Sequence, residues 1–528
     1  MNRKFYWLIL LLILLAACGG ETAVTPTPFS TAPPVPPTPQ PTATSLPEFS
    51  PEPEPPTLDA ILNQPETTLF EYGWNDREPF RAGLVASAQP ILNQLPGAPV
   101  YHLVFAVDDS LTTLTGQMEM RYTNQENQPL DKVYFHLFPN LLGGEIVVEN
   151  VRLNGETAVT ATQFDQTILE IALPEPLLPA APIVISMDFI TQVPTETGRN
   201  YGIFATVDEI MALSHFYPMV AVFDDEGWHT APAPEDGDVV YADASFFLVR
   251  ATLPANVTAA TSGNQLEQDF VDGQQKVVYA AGPVRDFYMA GSPKYETVSQ
   301  QAGEVTINSL APPEYGAGAT AVLDIVAAAL EIYGRHYAPY PFTELDVVST
   351  PTLALGVEYP GIFANTLNIY DLDGDIRGTP KIIYLESTTA HEAAHQWFYS
   401  LIGNDQLNEP WLDESLAQYA TWTYYLDRYG SDAADSFYQS LEGRWDRVDR
   451  AEIPIGQPVS AFPGAEYSAI VYGRGPIFVR ELANVMGQEA FDAFIRDYFV
   501  TFQWQIADTD GFKSLAETHC SCDLTDLF

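Results

Sequence analysis

The sequence predicts a multidomain fold: an N-terminal all-β domain followed by an α/β domain that is mostly helical. A change of period is the first observation behind it. From about Tyr101 to Pro293 the chain reads as short alternating runs, such as Tyr101-His102-Leu103-Val104-Phe105-Ala106-Val107 and Gln117-Met118-Glu119-Met120-Arg121-Tyr122, separated by Asp, Asn, Gly and Pro turns. After about Lys294 longer helical periods appear, beginning with the Ala/Leu/Ile-rich stretch Ala319 to His336. The second observation is His391-Glu392-Ala393-Ala394-His395, followed nineteen residues after its second histidine by Glu414 within Trp411-Leu412-Asp413-Glu414-Ser415. Residues four apart share one helix face, so this segment asks for a helix.

Taken in order, residues 1–18 read as a targeting segment. Arg3 and Lys4 are a positive n-region, Phe5 to Leu15 an apolar stretch too short to span a bilayer as a mature helix, and Leu15-Ala16-Ala17-Cys18 resembles a bacterial lipobox. That resemblance implies cleavage before Cys18, lipid on it, and an enzyme held on the outer side of a bacterial cell membrane. Residues 19–65 are rich in Pro, Thr, Ser and Ala and poor in large apolar residues, which predicts an unfolded, extended tether. Residues 66–293 form the β-rich domain with its lead-in, continued by runs such as Ile183 to Phe189 and Phe246 to Ala251. Residues 294–528 form the second domain, with strands at Leu345 to Ser349 and Gly356 to Pro360 before the histidine helix.

Ser387, Thr388 and Thr389 offer N-cap hydroxyls to that helix, and its apolar residues run through Trp397, Phe398, Leu401 and Ile402 to Gly403. The following helix opens at Asn408-Glu409-Pro410 and continues to Gly430, with Glu414 in its first two turns. On these helices His391 and His395 can converge on one tetrahedral zinc, and Glu414 is the natural third ligand, leaving one position for water or substrate. Glu392 sits beside them as the candidate general base.

These segments resemble the aminopeptidase N-like gluzincin metallopeptidases, the family that also contains leukotriene hydrolase. Gly356-Val357-Glu358-Tyr359-Pro360 is similar to the family's Gly-x-Met-Glu-Asn strand, and Tyr472-Gly473-Arg474-Gly475 to its Tyr-x-Lys-Gly segment. The resemblance covers roughly residues 100 to 528. It implies a thermolysin-like catalytic domain, one Zn²⁺ per chain and cleavage of single residues from the N-terminus of peptides. By the same resemblance Glu358, with Gly356, binds the free α-amino group, and the Tyr472 hydroxyl stabilises the oxyanion while Glu392 activates water at the zinc. Valine and Tyr359 stand where the family has methionine and asparagine, so the amine corner is altered. A polar residue that the family contributes from its N-terminal domain falls in the neighbourhood of Leu213 to Pro218, where His215 is available. No room is seen for the family's helical-repeat C-terminal domain, so longer or internal peptide bonds could be reachable.

The alternatives are a non-catalytic zinc-containing scaffold lipoprotein and an endopeptidase with weakened amine recognition. Composition supports a folded enzyme, since 46% hydrophobic and 12% aromatic residues are enough for sizeable cores. With 23 basic against 69 acidic residues, a net of -46, nucleic acid is excluded as a partner because phosphates need the opposite field. Asp371 to Asp375 reads as an acidic surface loop, because Ile376 stands where a calcium loop requires glycine. Cys520 and Cys522, one residue apart, read as an exposed unpaired couple without function.

Overall fold

A computed structural model describes residues 67–234 and 237–528. The leader, Cys18 and the tether lie outside the described residues.

Eight strands form the largest sheet: β1 (Val100–Val107), β2 (Thr113–Thr123), β3 (Glu145–Leu153), β4 (Glu156–Thr157), β5 (Pro182–Gln192), β6 (Ser245–Pro254), β7 (Asn264–Val271) and β8 (Gln274–Val284). They lie in the order β7-β8-β6-β1-β2-β5-β3-β4, with β1 parallel to β6 and antiparallel to β2. β1 is buried over most of its length, and Tyr101 stacks on Phe247 across the parallel pair at 4.5 Å and 8°. A four-stranded sheet contains Ile210–Leu213, whose end delivers Ser214 and His215 to the interior.

The lead-in segment is fastened to this sheet by a buried carboxylate. Glu119 Oε1 accepts from the backbone of Thr68 (2.7 Å) and Leu69 (2.8 Å), and Oε2 from the Thr68 hydroxyl (3.0 Å). Beside it His102 is stacked on Trp74 at 4.5 Å, its Nδ1 3.5 Å from Glu119 Oε1. Burial pulls the His102 imidazole below its ordinary 6.5, and Glu119 lies below its ordinary 4.5 because hydrogen bonds from His102, Leu69 and Thr68 outweigh its burial. Both shifts leave the unfolded chain binding more protons than the folded one in acid. The His102 contribution is complete above pH 6.5 and is lost as pH falls toward its folded value, and that of Glu119 is complete above pH 4.5 and is lost below it. Thermal melts between pH 7 and pH 4 should therefore show a falling midpoint. Glu119→Gln should lower the neutral-pH stability by about 1–2 kcal/mol and change the shape of that pH dependence; a variant whose melts track the parent at every pH would refute the coupling.

A second sheet contains β9 (Glu296–Ala302), β10 (Val305–Ala311), β11 (Glu344–Thr350), β12 (Gly356–Tyr359) and β13 (Ile362–Thr366). Its order is β9-β10-β11-β13-β12, with β10, β11 and β13 parallel and β12 antiparallel at the edge. Helix α1 (Gly316–His336) crosses from β10 to β11 and is followed by α2 (Lys381–Ala394), α3 (Trp411–Tyr429), α4 (Ser431–Trp445), α5 (Gly475–Met486), α6 (Gln488–Phe502) and α7 (Thr509–Cys520). Tyr333 on α1 donates to the carbonyl of Ala390 at 2.8 Å, which fixes α2 against the buried face of α1. The β-rich start and helical end, predicted from periodicity, are both present.

Three local expectations are corrected. α2 begins at Lys381, directly after Pro380, so Ser387, Thr388 and Thr389 lie inside the helix and do not cap it. It also ends at Ala394 with His395 as its last half-turn, well before Gly403. There Gln396 and Trp397 bond back three residues, to the carbonyls of Ala393 and Ala394, and Tyr399 takes φ 107°, which no helix accommodates. Cys520 and Cys522 form a disulfide: Ser521 at φ 50°, ψ 41° turns the chain left-handed at the end of α7 and brings the two Cα atoms to 5.1 Å, inside the bridging range. The Asp371 to Asp375 segment is a partly exposed loop with Lys381 Nζ 3.1 Å from Asp371 Oδ2.

Between the two halves sits Arg285, 2% exposed, which follows β8. Its Nε donates to Tyr399 O (2.7 Å), Nη1 to Ala242 O (3.1 Å) and Nη2 to Leu401 O (3.2 Å) and Gln505 O (2.7 Å). One cation thus gathers the turn after α2, the chain before β6 and the segment before α7.

Candidate metal centre and substrate cleft

His391, one helical turn before His395, faces it on the buried side of α2. α3 packs across and inserts Glu414, so that Glu414 Oε2 stands 3.1 Å from His391 Nε2 and 3.5 Å from His395 Nε2, the two ring nitrogens being 3.2 Å apart. Donors on three corners of a tetrahedron around zinc, at bond lengths of about 2.0–2.1 Å, stand roughly 3.3 Å from one another. The three donors therefore fit one zinc ion. His395 Nδ1 faces the carbonyl of Phe398 at 3.1 Å; a hydrogen placed there leaves the Nε2 lone pair toward the centre. Burial works to raise the Glu414 carboxyl, yet hydrogen bonds from His391 and His395 hold it well below its usual range.

Glu392 is 4% exposed, and burial pushes its carboxyl well above the usual range, with His395 opposing. It comes close to the edge strand β12 because residue 356 is glycine: a Cβ there would lie 2.2 Å from Glu392 Oε1. Two residues on, Glu358 turns into the same space, and its carboxylate, that of Glu392 and the His395 ring lie within 4.8 Å of one another. Burial pushes Glu358 up to about 6, with His395 pulling the other way.

Tyr472 reaches the centre from a wider helical turn, Ile470–Arg474, where i→i+5 bonding replaces the α pattern. Its hydroxyl donates to Glu414 Oε1. Two glycines just after it make this possible, since a Cβ at Gly473 would come 3.1 Å from the α4 backbone and one at Gly475 would overlap Ser415 Oγ on α3. Burial and the charge of Glu414 keep the Tyr472 hydroxyl protonated far above pH 10.

Six of the seven residues singled out in the sequence for this site thus line one cleft, His391, Glu392, Glu414, Tyr472, Glu358 and Gly356, and the seventh, His395, is fully buried behind them with its ring beside His391, Glu414, Glu358 and Glu392. The lipidation candidate Cys18 lies outside the described residues. Sequence reasoning missed Gln406, Asp238, Asp286 and Tyr399, which line the cleft as well. His215, left open in the sequence, is part of its wall: Nδ1 meets Ser214 Oγ at 2.7 Å and Nε2 meets Asp286 Oδ2 at 2.8 Å, an oxygen that also accepts from the Tyr399 hydroxyl at 2.7 Å. His215 and Tyr399 both carry positive φ, 47° and 107°, so two residues in costly backbone conformations aim at one buried carboxylate. Their spacing in the sequence has no period that would betray this; only the polar run Asn404-Asp405-Gln406 between two apolar helices was a usable signal for Gln406.

A buried histidine pair on one helix, a glutamate from the next and a second glutamate free beside them define a site of the zinc-metallopeptidase class. Residues 321–528 match the profile of the Peptidase family M1 domain. The chain is similar to "Aminopeptidase M1-B" of Oryza sativa subsp. japonica, 26% identical over 223 residues, which cover 39% of the chain and 24% of that protein. It is also 25% identical over 300 residues to "Aminopeptidase 2" of Candida albicans, covering 52% of the chain and 31% of that protein. The chain spans about a quarter of the length of the first of these curated relatives and of "Aminopeptidase M1" of Arabidopsis thaliana. The M1 zinc metallopeptidase from Deinococcus radiodurans shares the fold over 82% of this chain and 93% of its own, with a TM-score of 0.57 at 18% identity. A mutant of that protein bound to a Tyr-Ser-Ala substrate aligns equally well, with a TM-score of 0.58 at 18% identity over 82% of this chain and 93% of its own.

Proposed function

We propose that the protein is a zinc-dependent aminopeptidase that removes single residues from the N-terminus of peptides outside the cytoplasm. The observation that carries this reading is the closeness of Glu358 to the metal donors, within 4.8 Å of His395. The α-nitrogen and the carbonyl carbon of one residue are only two bonds apart, about 2.5 Å. An ammonium group held by Glu358 therefore presents the first peptide carbonyl, and no later one, to the centre.

His391, His395 and Glu414 would hold the zinc. When bound, zinc supplies Lewis acidity and draws the pKa of water toward neutrality. Glu392 accepts the proton of the attacking water and returns it to the leaving amine. The Tyr472 hydroxyl donates to the oxyanion that develops on the carbonyl, the kind of interaction that usually supplies the largest catalytic term. Glu358 accepts from the α-ammonium and orients it. The leader and Cys18 support export and anchoring by lipid, with the Pro/Thr-rich stretch as spacer.

The test uses the purified chain on aminoacyl-arylamides and on the same compounds N-acetylated, with and without chelator. Cleavage of the free-amine set alone, abolished by chelator and restored by zinc, is expected. Equal cleavage of both sets would replace the exopeptidase reading with an endopeptidase, and no cleavage by zinc-loaded protein would leave a scaffold.

A further inference from the structure

Gln406 lies in the connection between His395 and α3 and is 2% exposed. Its side-chain nitrogen stands 3.0 Å from Glu358 Oε1 and 2.7 Å from Asp413 Oδ2. A primary amide has two N–H bonds, and here each carboxylate receives one; the amide oxygen in that position would face two carboxylates and be repelled. Asp413 uses its other oxygen, Oδ1, to accept from the backbone N–H of Glu414 at 2.7 Å. A continuous chain of hydrogen bonds therefore runs from the amine-reading carboxylate, through one amide, to the backbone of a metal ligand. Among the described residues no lysine or arginine pairs with either carboxylate, and the amide is the group that bridges them.

We propose that Gln406 is a positioning residue: it orients Glu358 so that one oxygen stays open to the substrate ammonium, and ties that carboxylate through Asp413 to Glu414. The proposal rests on the aminopeptidase reading of Glu358. Gln406 touches no reacting atom. Its effect is on where the first residue sits relative to the metal, and it should appear in binding of the free amine.

The test variant is Gln406→Met, which keeps length and volume and removes both donors. Steady-state kinetics on alanyl- and leucyl-arylamides should show KM raised about tenfold or more, the scale of a lost hydrogen bond to a buried charged group, with kcat within about threefold. Inhibition constants should separate the same way: that of L-leucinamide should rise in parallel, and that of N-acetyl-L-leucinamide should stay put. Zinc content per chain and the unfolding midpoint are read on the same preparations, and zinc should remain stoichiometric. In a Glu358→Gln background the amine anchor is already lost, so adding Gln406→Met should leave KM nearly unchanged. An unchanged KM in Gln406→Met, or an effect that simply adds to Glu358→Gln, overturns the proposal in favour of a structural role. Should the methionine variant be insoluble, Gln406→Asn, one methylene short of both acceptors, is read by the same criteria. A parent enzyme that cleaves no free-amine arylamide would defeat the aminopeptidase reading itself, a result distinct from a parent that cleaves and a variant that does not differ.

Discussion

Glu392→Gln is expected to lower hydrolysis of free-amine arylamides by about 10²–10⁴-fold while the protein still binds one zinc and melts near the parent temperature. Glutamine matches glutamate in shape, so the close passage of residue 392 beside Gly356 is preserved. What disappears is the carboxylate that the proposed mechanism assigns to neither the zinc nor the substrate amine. Glu358 is near enough to invite a substitute role, within 4.8 Å of Glu392. Its Oε1 is already engaged by Gln406, however, and the proposed mechanism gives its remaining oxygen to the substrate ammonium. Rates measured alongside zinc content by atomic absorption decide the matter: activity within tenfold of the parent would move the base to another residue.

Arg285→Met should be the most destabilising single change considered, by about 3–5 kcal/mol, because four carbonyls, three of them in fully buried bonds, lose a charged donor together. Burial pulls this guanidinium down to about 10, with Asp243 opposing, so it remains charged at neutral pH. The acceptors belong to segments far apart in sequence, at Ala242, Tyr399, Leu401 and Gln505. The loss should therefore reach the cleft as well as the midpoint, since Tyr399 also donates to Asp286 beside His215. Gly403→Ala offers an independent check, because its Cβ would lie 2.3 Å from the Arg285 guanidinium carbon. Denaturant titration of the two variants measures the effect; a loss under 1 kcal/mol in Arg285→Met would mean that water replaces the guanidinium without cost.

The parts of the site that could be read in the sequence are those whose geometry is local. His391 and His395 share a helix face by spacing alone, and Glu414 follows at a distance that two packed helices can close. Glu358 and Tyr472 were found only through resemblance, since a single glutamate or tyrosine has no period. Gln406 and Asp286 escaped because their partners lie 48 and 71 residues away and arise from the meeting of separate elements. The helix limits failed for a related reason. The apolar run after His395 is apolar because Trp397 and Phe398 fill the core, and apolar content does not distinguish a helix from a buried turn. The disulfide depended on one left-handed residue, Ser521, for which serine gives little sign.

The short distance between Glu358 and the metal donors has a consequence for the order of events on a long peptide. On the aminopeptidase reading proposed above, every cut would expose a new α-amine on the shortened chain, identical in charge and size to the one just released. The handle by which the substrate is held is thus remade by the reaction, and the product of one cycle is the substrate of the next. On that reading trimming would proceed stepwise from one end and would pause where the peptide's own chemistry intervenes, as at a second-position proline, whose tertiary amide has no N–H and a fixed φ.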